Sequence, residues 1–151
     1  MSKMNSLKIV LCDLDGVIWL AHQPIEGSTD AVTRLRQAGI EVLFVTNNSF
    51  STRDQQHAAL ARVGIAAEGS VVTSAMAAST HVSRGERVLV CGGEGLIEEV
   101  THRGAEVVVP YRVNAVDGDF DAVVVGFHRE FNFDVLAAAL TAVRNGARLI
   151  L

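Results

Sequence analysis

Short runs of apolar, often β-branched residues recur along the chain, and segments of helical period separate most of them. Within each run the apolar residues follow one another without polar alternation, which is typical of parallel strands covered on both faces. The six runs occupy residues 8–12, 41–45, 87–91, 106–109, 122–125 and 147–151. The pattern therefore predicts six parallel strands.

Four segments between these runs carry residues at helical spacing, and each stops at a glycine, as helix C-termini often do. Their marker residues are Ala31, Val32, Leu35 and Ala38 before Gly39; Ser51, Asp54 and Leu60 before Gly64; Leu96, Ile97 and Val100 before Gly104; and Val135, Leu136, Ala139, Leu140 and Val143 before Gly146. Alternation of strands and helices predicts an α/β fold with right-handed crossovers.

Composition narrows the class of protein. The 151 residues are 49% hydrophobic and 20% charged, which is globular composition, and the net charge of −4 with no basic cluster argues against nucleic-acid binding. No stretch reaches the roughly 18 apolar residues of a membrane span, and Asp13 interrupts the first apolar run before it could serve in a secretion signal. Cys12 and Cys91 lie in apolar runs, which favours buried free thiols. We expect a cytoplasmic protein without membrane partners.

Two acids follow the first run. Asp13 and Asp15 stand where a parallel strand ends, and ligand crevices of open α/β sheets lie beyond such ends. Residues two apart on an extended backbone point to the same face. Two carboxylates ~4 Å apart repel by on the order of 4 kcal/mol at an effective dielectric near 20, and a hard divalent cation such as Mg²⁺ removes that cost. Gly16 permits a sharp turn beside the site.

Polar residues also follow the second run, in the order Thr46, Asn47, Asn48, Ser49. Hydroxyl and amide groups at a strand-to-helix turn are neutral donors for an anion, near the positive end of the next helix. Because neighbouring parallel strands end at the same edge of a sheet, the acids and these donors can meet there. The sequence therefore predicts a phosphate-binding site with a metal on one side.

The chain resembles the haloacid dehalogenase-like hydrolases, and more narrowly their capped IIA branch of p-nitrophenyl, phosphoglycolate and nucleotide phosphatases. The likeness covers nearly the whole chain but only about the first half of a family member. It rests on the ordered segments Asp13-Leu14-Asp15-Gly16-Val17, Thr46-Asn47-Asn48-Ser49, Val72-Thr73-Ser74-Ala75, Val90-Cys91-Gly92-Gly93-Glu94-Gly95-Leu96, Val123-Val124-Val125-Gly126 and Gly146-Ala147-Arg148.

The resemblance implies a partial Rossmann-like parallel-sheet core in residues 1–80 and the start of an inserted α/β cap domain in residues 81–151. It also implies an Mg²⁺-dependent phosphatase of small organic phosphate monoesters. Asp13 would attack phosphorus to form an aspartyl-phosphate, and Asp15 would serve as the general acid and base. The Asp13 carboxylate and the Asp15 carbonyl would bind Mg²⁺. Gly16, Thr46 and the Asn47 backbone would hold the phosphoryl group, and Asn48 would help to orient the substrate.

Two parts of the family pattern have no counterpart in these 151 residues. The family requires a later lysine and a later acidic pair, whereas no lysine follows Lys8. The segment 118–121 contains two acids but aligns with the cap. We therefore expect these residues to be an N-terminal portion of a longer chain. In this portion the later strands that would lie beside the strand of Asp13 are missing, so that strand becomes a sheet edge. Its apolar sequence suits exposure poorly, so we expect weak stability or self-association into homo-oligomers, and little phosphatase activity.

Other interpretations give different roles to the same residues. Asp13 and Asp15 could be solvated turn acids, or the site of a receiver-like phosphoacceptor domain, or part of a catalytically inactive remnant that still binds phosphate and Mg²⁺. The glycines at 92, 93 and 95 are interpreted as a strand-to-helix turn, since Glu98 breaks the dinucleotide-binding spacing. Trp19 and Phe127 are interpreted as packing aromatics and most of the five histidines as surface residues.

Overall fold

The computed structural model describes residues 8–20, 23–67, 69–113 and 116–151, and the chain folds into two compact units. The first unit contains residues 1–46 and 53–72, and the second contains 47–52 and 73–151. The structural division thus falls after residue 72 and assigns the short segment 47–52 to the second unit. The division into core and cap after residue 80 stays a prediction of the sequence.

The first unit contains a three-stranded sheet in the order β1, β4, β5, and a two-stranded antiparallel hairpin of β2 and β3. Its elements are β1 (Ile9–Asp13), β2 (Trp19–Leu20), β3 (Gln23–Pro24), α1 (Ser28–Gln37), β4 (Glu41–Thr46), α2 (Arg53–Arg62) and β5 (Val71–Thr73). The pairing of β1 with β4 is parallel. In the described residues β1 is therefore an edge strand, as the sequence led us to expect.

The sheet of the first unit buries one face. Val42 and Phe44 of β4 lie in a hydrophobic core with side chains of α1 and α2. On the other face, Ile9 and Leu11 of β1 are 45% and 67% exposed, and Leu43, which pairs with Leu11, is half-buried. The prediction that every strand is covered on both faces is therefore wrong for β1, because its side chains alternate between partial burial and exposure.

The second unit contains a four-stranded sheet in the order β7, β6, β8, β9, in which all three pairings are parallel. Its elements are α3 (Ser74–Ser79), β6 (Arg87–Cys91), α4 (Glu94–His102), β7 (Glu106–Val108), a 3-10 turn (Pro110–Arg112), β8 (Ala122–Val125), α5 (Phe133–Arg144) and β9 (Arg148–Ile150). No helix among the described residues combines the length and apolarity needed to cross a bilayer.

Both faces of the central strands in this second sheet are buried. Val88 and Val90 of β6 belong to one hydrophobic cluster with α3 and α4 residues such as Ala75 and Leu96. Leu89 and Cys91, which point to the opposite face, belong to another cluster that includes residues of α5. The uninterrupted apolar runs therefore predicted these strands correctly. Cys12 and Cys91 are free thiols, half-buried and buried respectively, as expected.

Candidate active site

Asp13 and Thr46 close two neighbouring parallel strands. Asp13, the last residue of β1, pairs with Val45 of β4, and Thr46 is the next residue along β4. Adjacent strands lie about 4.8 Å apart, so the carboxyl ends of the two strands meet at one edge of the sheet. This is the arrangement that the sequence predicted for the strands, whereas the catalytic roles of their residues stay predictions.

The Asp13 side chain is exposed, and its backbone is firmly placed. Its Oδ1 accepts a hydrogen bond of 2.9 Å from the main-chain N–H of Leu14, whose own side chain is fully buried. The preceding residue, Cys12, is half-buried. Burial, and secondly the negative charge of Asp13, raise the pKa of the Cys12 thiol. The carboxylate thus faces solvent at the end of a strand in which Cys12 packs against the core and Leu11 is exposed.

Asp15 lies in a turn and not on the extended strand. β1 ends at Asp13, the chain bends at Leu14, and Asp15 forms an isolated bridge with Trp19. Residues two apart share a face only on an extended strand, and Asp15 lies outside that strand. Gly16 has φ of 86°, and its N–H donates a hydrogen bond of 2.6 Å to the Trp19 carbonyl. The sharp turn predicted at Gly16 is confirmed.

Trp19 contacts Asp15 directly. The indole Nε1–H donates a hydrogen bond of 2.9 Å to Asp15 Oδ1, and the Trp19 side chain is only 5% exposed. The prediction that Trp19 only packs is therefore incomplete. A signal was present in the sequence, because a buried tryptophan usually finds an acceptor for its N–H and Asp15 stands four residues before it.

The residues after Thr46 belong to the second unit and are held there by hydrogen bonds. Thr46 is buried, 3% exposed, and Asn47 is exposed. The Asn47 carbonyl accepts a hydrogen bond of 2.8 Å from Ser74 Oγ. Asn48 Oδ1 accepts hydrogen bonds from the main-chain N–H groups of Phe50 and Ser51, at 2.9 and 3.0 Å. The amide oxygen of Asn48 therefore stabilises the turn of its own loop.

Three glycines make room for this loop in the second unit. A Cβ atom on Gly95 would lie 2.2 Å from the Ser51 carbonyl oxygen, and one on Gly93 would lie 2.3 Å from the Phe50 ring. A Cβ on Gly126 would lie 2.7 Å from Ser49 Oγ. We call Gly93, Gly95 and Gly126 the glycine socket. Gly93 is the N-cap of α4, so the predicted strand-to-helix turn is confirmed, and the socket explains why it is rich in glycine.

The acidic segment before β8 has a structural partner. The Asp121 carboxylate accepts a hydrogen bond of 2.7 Å from the Arg87 main-chain N–H. The Arg87 guanidinium donates to the carbonyls of Asp117 and Asp119 at 2.8 and 3.2 Å and lies 4.7 Å above the Phe120 ring. These residues belong to the second unit, and their assignment to a cap domain stays a prediction. His128 is also unlike the expected surface histidines, because it is buried; His22 lies outside the described residues.

The donors at the end of β1 fit a hard divalent cation. Asp13 is exposed and its carboxylate accepts one described main-chain bond, whereas a carboxylate offers about four lone-pair sites. Carboxylate oxygens such as these, and main-chain carbonyls such as that of Asp15, are the hard oxygen donors that Mg²⁺ and Ca²⁺ prefer.

Comparison with known proteins identifies relatives over most of the chain. A family profile described as haloacid dehalogenase-like hydrolase matches residues 10–106. An acid sugar phosphatase of Staphylococcus saprophyticus is 34% identical over 152 residues, which are 97% of this chain and 56% of that protein. An acid sugar phosphatase of Staphylococcus aureus is also 34% identical, with the same two coverages.

Solved structures give the same result. The glycerol phosphate phosphatase of Mycobacterium tuberculosis in complex with magnesium superposes with a TM-score of 0.80 at 34% identity, over 93% of this chain and 42% of that one. A p-nitrophenyl phosphatase from Archaeoglobus fulgidus superposes with a TM-score of 0.79 at 29% identity, over 94% and 53%. The chain spans about half the length of the relatives it matches.

Proposed function

The chain belongs to the haloacid dehalogenase-like hydrolases, and from that premise we propose that the protein hydrolyses small organic phosphate monoesters through an aspartyl-phosphate on Asp13. The observation that carries the proposal is the placement of Asp13 and Thr46 at the ends of two paired parallel strands. In this proposal the Asp13 carboxylate is the nucleophile, and Thr46, at the end of the neighbouring strand, helps to bind the transferring group.

In the first half-reaction, a carboxylate oxygen of Asp13 attacks phosphorus and the bond from phosphorus to the ester oxygen breaks. Asp15 donates a proton to that leaving oxygen, so the product departs as a neutral alcohol. Asp13 suits the role of nucleophile because its carboxylate is exposed at the end of a strand. The covalent intermediate divides one difficult displacement into two easier ones.

In the second half-reaction, Asp15 takes a proton from water and the resulting hydroxide attacks phosphorus. The bond from phosphorus to the Asp13 oxygen breaks, which releases inorganic phosphate and restores both side chains. Asp15 then holds the proton needed for the next turnover. Asp15 lies beyond the end of β1, next to the turn at Gly16, and its side chain is exposed to solvent.

Thr46 and the Asn47 backbone would hold the phosphoryl oxygens. Both are at or just beyond the end of β4, and neutral donors can bind phosphate without competing with the metal for charge. The Ser74 bond to the Asn47 carbonyl fixes the peptide that joins Asn47 to the next residue. A Cβ at Gly16 would meet no atom within 4 Å, so the chain at Gly16 is open to its surroundings.

The cation we propose is Mg²⁺, held by the Asp13 carboxylate and the Asp15 main-chain carbonyl, where it would neutralise phosphoryl charge. As to substrate, the named relatives act on sugar and glycerol phosphates. We propose phosphate esters of sugars or polyols as the substrate class.

The test is chemical trapping of the intermediate. The chain is mixed with Mg²⁺ and acetyl phosphate, quenched in acid, digested and analysed by mass spectrometry, while released phosphate is measured in parallel. We expect one phosphoryl group on the peptide that contains Asp13, and none in Asp13→Asn. Asp30→Asn, which changes an exposed acid of α1, is the matched control and should be labelled normally.

Other results would support the competing interpretations. Slow release of phosphate from labelled Asp13 is expected of this chain, whereas label on Asp13 that persists with no phosphate release at all indicates a phosphoacceptor domain. Absence of label, together with Mg²⁺ and phosphate binding that Asp13→Asn abolishes, indicates a catalytically inactive remnant. Label on another residue, or phosphate release that survives in Asp13→Asn, refutes the proposal.

A further inference from the structure

The bond between Trp19 and Asp15 has a property that bears on acid–base chemistry. An indole N–H is a donor only, and in a protonated carboxyl group the carbonyl oxygen is the stronger acceptor while the hydroxyl oxygen carries the proton. Asp15 Oδ1 lies 2.9 Å from Trp19 Nε1, so the hydrogen on that line belongs to the indole. Oδ1 is therefore held as an acceptor.

We propose that Trp19 is a positioning residue that reserves Oδ1 of Asp15 as the hydrogen-bond acceptor and leaves Oδ2 as the oxygen that gives and takes the catalytic proton. The inference rests on the proposed function, because it assigns a role within the same site. In the acid form, Oδ1 is the carbonyl oxygen and Oδ2 carries the hydroxyl. Oδ2 gives that proton to the leaving oxygen and later regains one from water, while the indole bond persists.

The donor is fixed by its surroundings. The Trp19 side chain is buried in the core of the first unit together with Leu14 and Ile18. Its main-chain N–H donates to the Leu14 carbonyl at 3.2 Å, and its carbonyl accepts from Gly16 at 2.6 Å. Trp19 also pairs with Pro24 in the hairpin of β2 and β3. Backbone and ring are thus both restrained, and the N–H stays aimed at the Asp15 position.

The acceptor needs that restraint more than the donor does. Asp15 is exposed, and the terminal torsion of an aspartate is broad when nothing holds it. A freely rotating carboxyl group would present either oxygen to the substrate and would spend only part of its time in a productive direction. Because misplacement of a catalytic group by about 1 Å can cost on the order of 100-fold in rate, one fixed hydrogen bond has a measurable consequence.

A purely structural explanation has to be separated from this one. Buried tryptophans commonly donate to any nearby acceptor, so Asp15 could serve only to satisfy the indole. That explanation predicts that loss of the N–H changes stability and leaves the chemical step alone. The positioning role predicts the reverse, namely a slower acid–base step in a protein of nearly the same stability.

The chain contains one tryptophan, which makes a precise substitution practical. Expression in a tryptophan auxotroph with 3-benzothienyl-alanine replaces the indole N–H by sulfur at residue 19 alone and preserves the shape of the ring. We expect the rate constant for dephosphorylation of phospho-Asp13 to fall on the order of 10-fold or more, with the substrate concentration for half-maximal labelling and the thermal midpoint little changed. Trp19→Phe, which also lacks the donor, should show the same loss of rate with lower stability.

A second measurement does not depend on turnover. A 15N-labelled sample gives one indole N–H signal in a heteronuclear NMR spectrum. We expect that signal to move in Asp15→Asn, whose acceptor is neutral, and to be unaffected in Asp30→Asn.

The outcomes are separable. An unchanged dephosphorylation rate in the benzothienyl protein overturns the positioning role and leaves the proposed function intact. An indole N–H signal that does not move in Asp15→Asn also overturns the positioning role. Failure of the native protein to form phospho-Asp13 refutes the proposed function and, with it, the catalytic role of Trp19.

Discussion

Ser74 Oγ donates a hydrogen bond of 2.8 Å to the main-chain oxygen of Asn47, twenty-seven residues earlier in the chain. The neighbouring hydroxyl has a different task, since Thr73 is the N-cap of α3 and its Oγ1 accepts from the Met76 N–H at 3.2 Å. The two adjacent hydroxyls therefore have separate roles. Thr73 caps the helix α3, and Ser74 holds the loop that follows Thr46.

The two hydroxyls therefore predict different main effects for two matched substitutions, one on labelling and the other on stability. Ser74→Ala removes the bond to Asn47 and should slow labelling of Asp13 by acetyl phosphate several-fold, with a loss of stability of about 1 kcal/mol or less. Thr73→Ala removes the cap and should cost about 1 kcal/mol of stability with less effect on labelling. Urea unfolding and the trapping assay measure the two effects. Equal labelling rates in both variants would contradict the assignment.

At the glycine socket, the loss of stability caused by an added methyl group should be restored only where the clashing atoms belong to a side chain that can be removed. Gly93→Ala should destabilise the second unit by about 1–3 kcal/mol, because the new methyl group meets the Phe50 ring at 2.3 Å. In a Phe50→Ala background the same change should be nearly neutral. Gly95→Ala should be destabilising in both backgrounds, since its methyl group meets the Ser51 carbonyl at 2.2 Å.

The measurement is a double-mutant cycle in urea. Helix propensity alone favours alanine at position 95 by about 1 kcal/mol. A stabilising Gly95→Ala would therefore show that the loop moves aside at little cost, and the socket would lose its explanation.

The open edge of the first sheet predicts self-association. Leu11 is 67% exposed on the edge strand β1, and a charged side chain on such a strand opposes pairing with another chain. Leu11→Lys should therefore reduce the concentration-dependent mass of this chain in light scattering after size exclusion. Leu140→Lys makes the same change at a 56% exposed position of α5 and should have less effect. A parent chain that stays monomeric at all concentrations would contradict the prediction.

Cys12 offers a chemical report on Asp13. Burial and then the Asp13 charge raise the pKa of the Cys12 thiol, and burial raises the pKa of Cys91 to about 11. Because a thiolate is the reactive form, both thiols should react slowly with iodoacetamide near pH 8 and faster as the pH rises. Asp13→Asn removes the smaller of the two causes at Cys12, so Cys12 should react faster while Cys91 does not change.

Peptide mapping by mass spectrometry gives the two alkylation rates separately, and Cys91 serves as the internal control. An unchanged rate at Cys12 in Asp13→Asn would show that the two groups do not interact.

The strands that the sequence predicted best are those with neighbours on every side. Residues of β6 alternate between two buried clusters, and an uninterrupted apolar run is the direct consequence of such burial. β1 has the same kind of sequence, yet Ile9 and Leu11 are exposed. An apolar run indicates that a strand is suited to burial, but it does not indicate which other strands and helices are present to bury it.

The shortest elements could not be found by periodicity. β2, β3 and β5 have two or three residues, too few for an alternation to be recognised, and α3 consists of six small or flexible residues. At the candidate site, the sequence located the acids and the polar loop correctly along the chain. It could not show that Leu14 bends the backbone, that Trp19 donates to Asp15, or that Asn48 is occupied by its own turn.

The assignment of residues 47–52 to the second unit has a consequence for recombination between homologues. These six residues are far from residue 73 in sequence, yet their close approach to Gly93, Gly95 and Gly126 means that the two stretches must be compatible. A chimera that exchanges only residues 73–151 would place a foreign surface under the native loop. Grafts that transfer 47–52 together with 73–151 preserve that fit, so the natural unit of exchange is discontinuous.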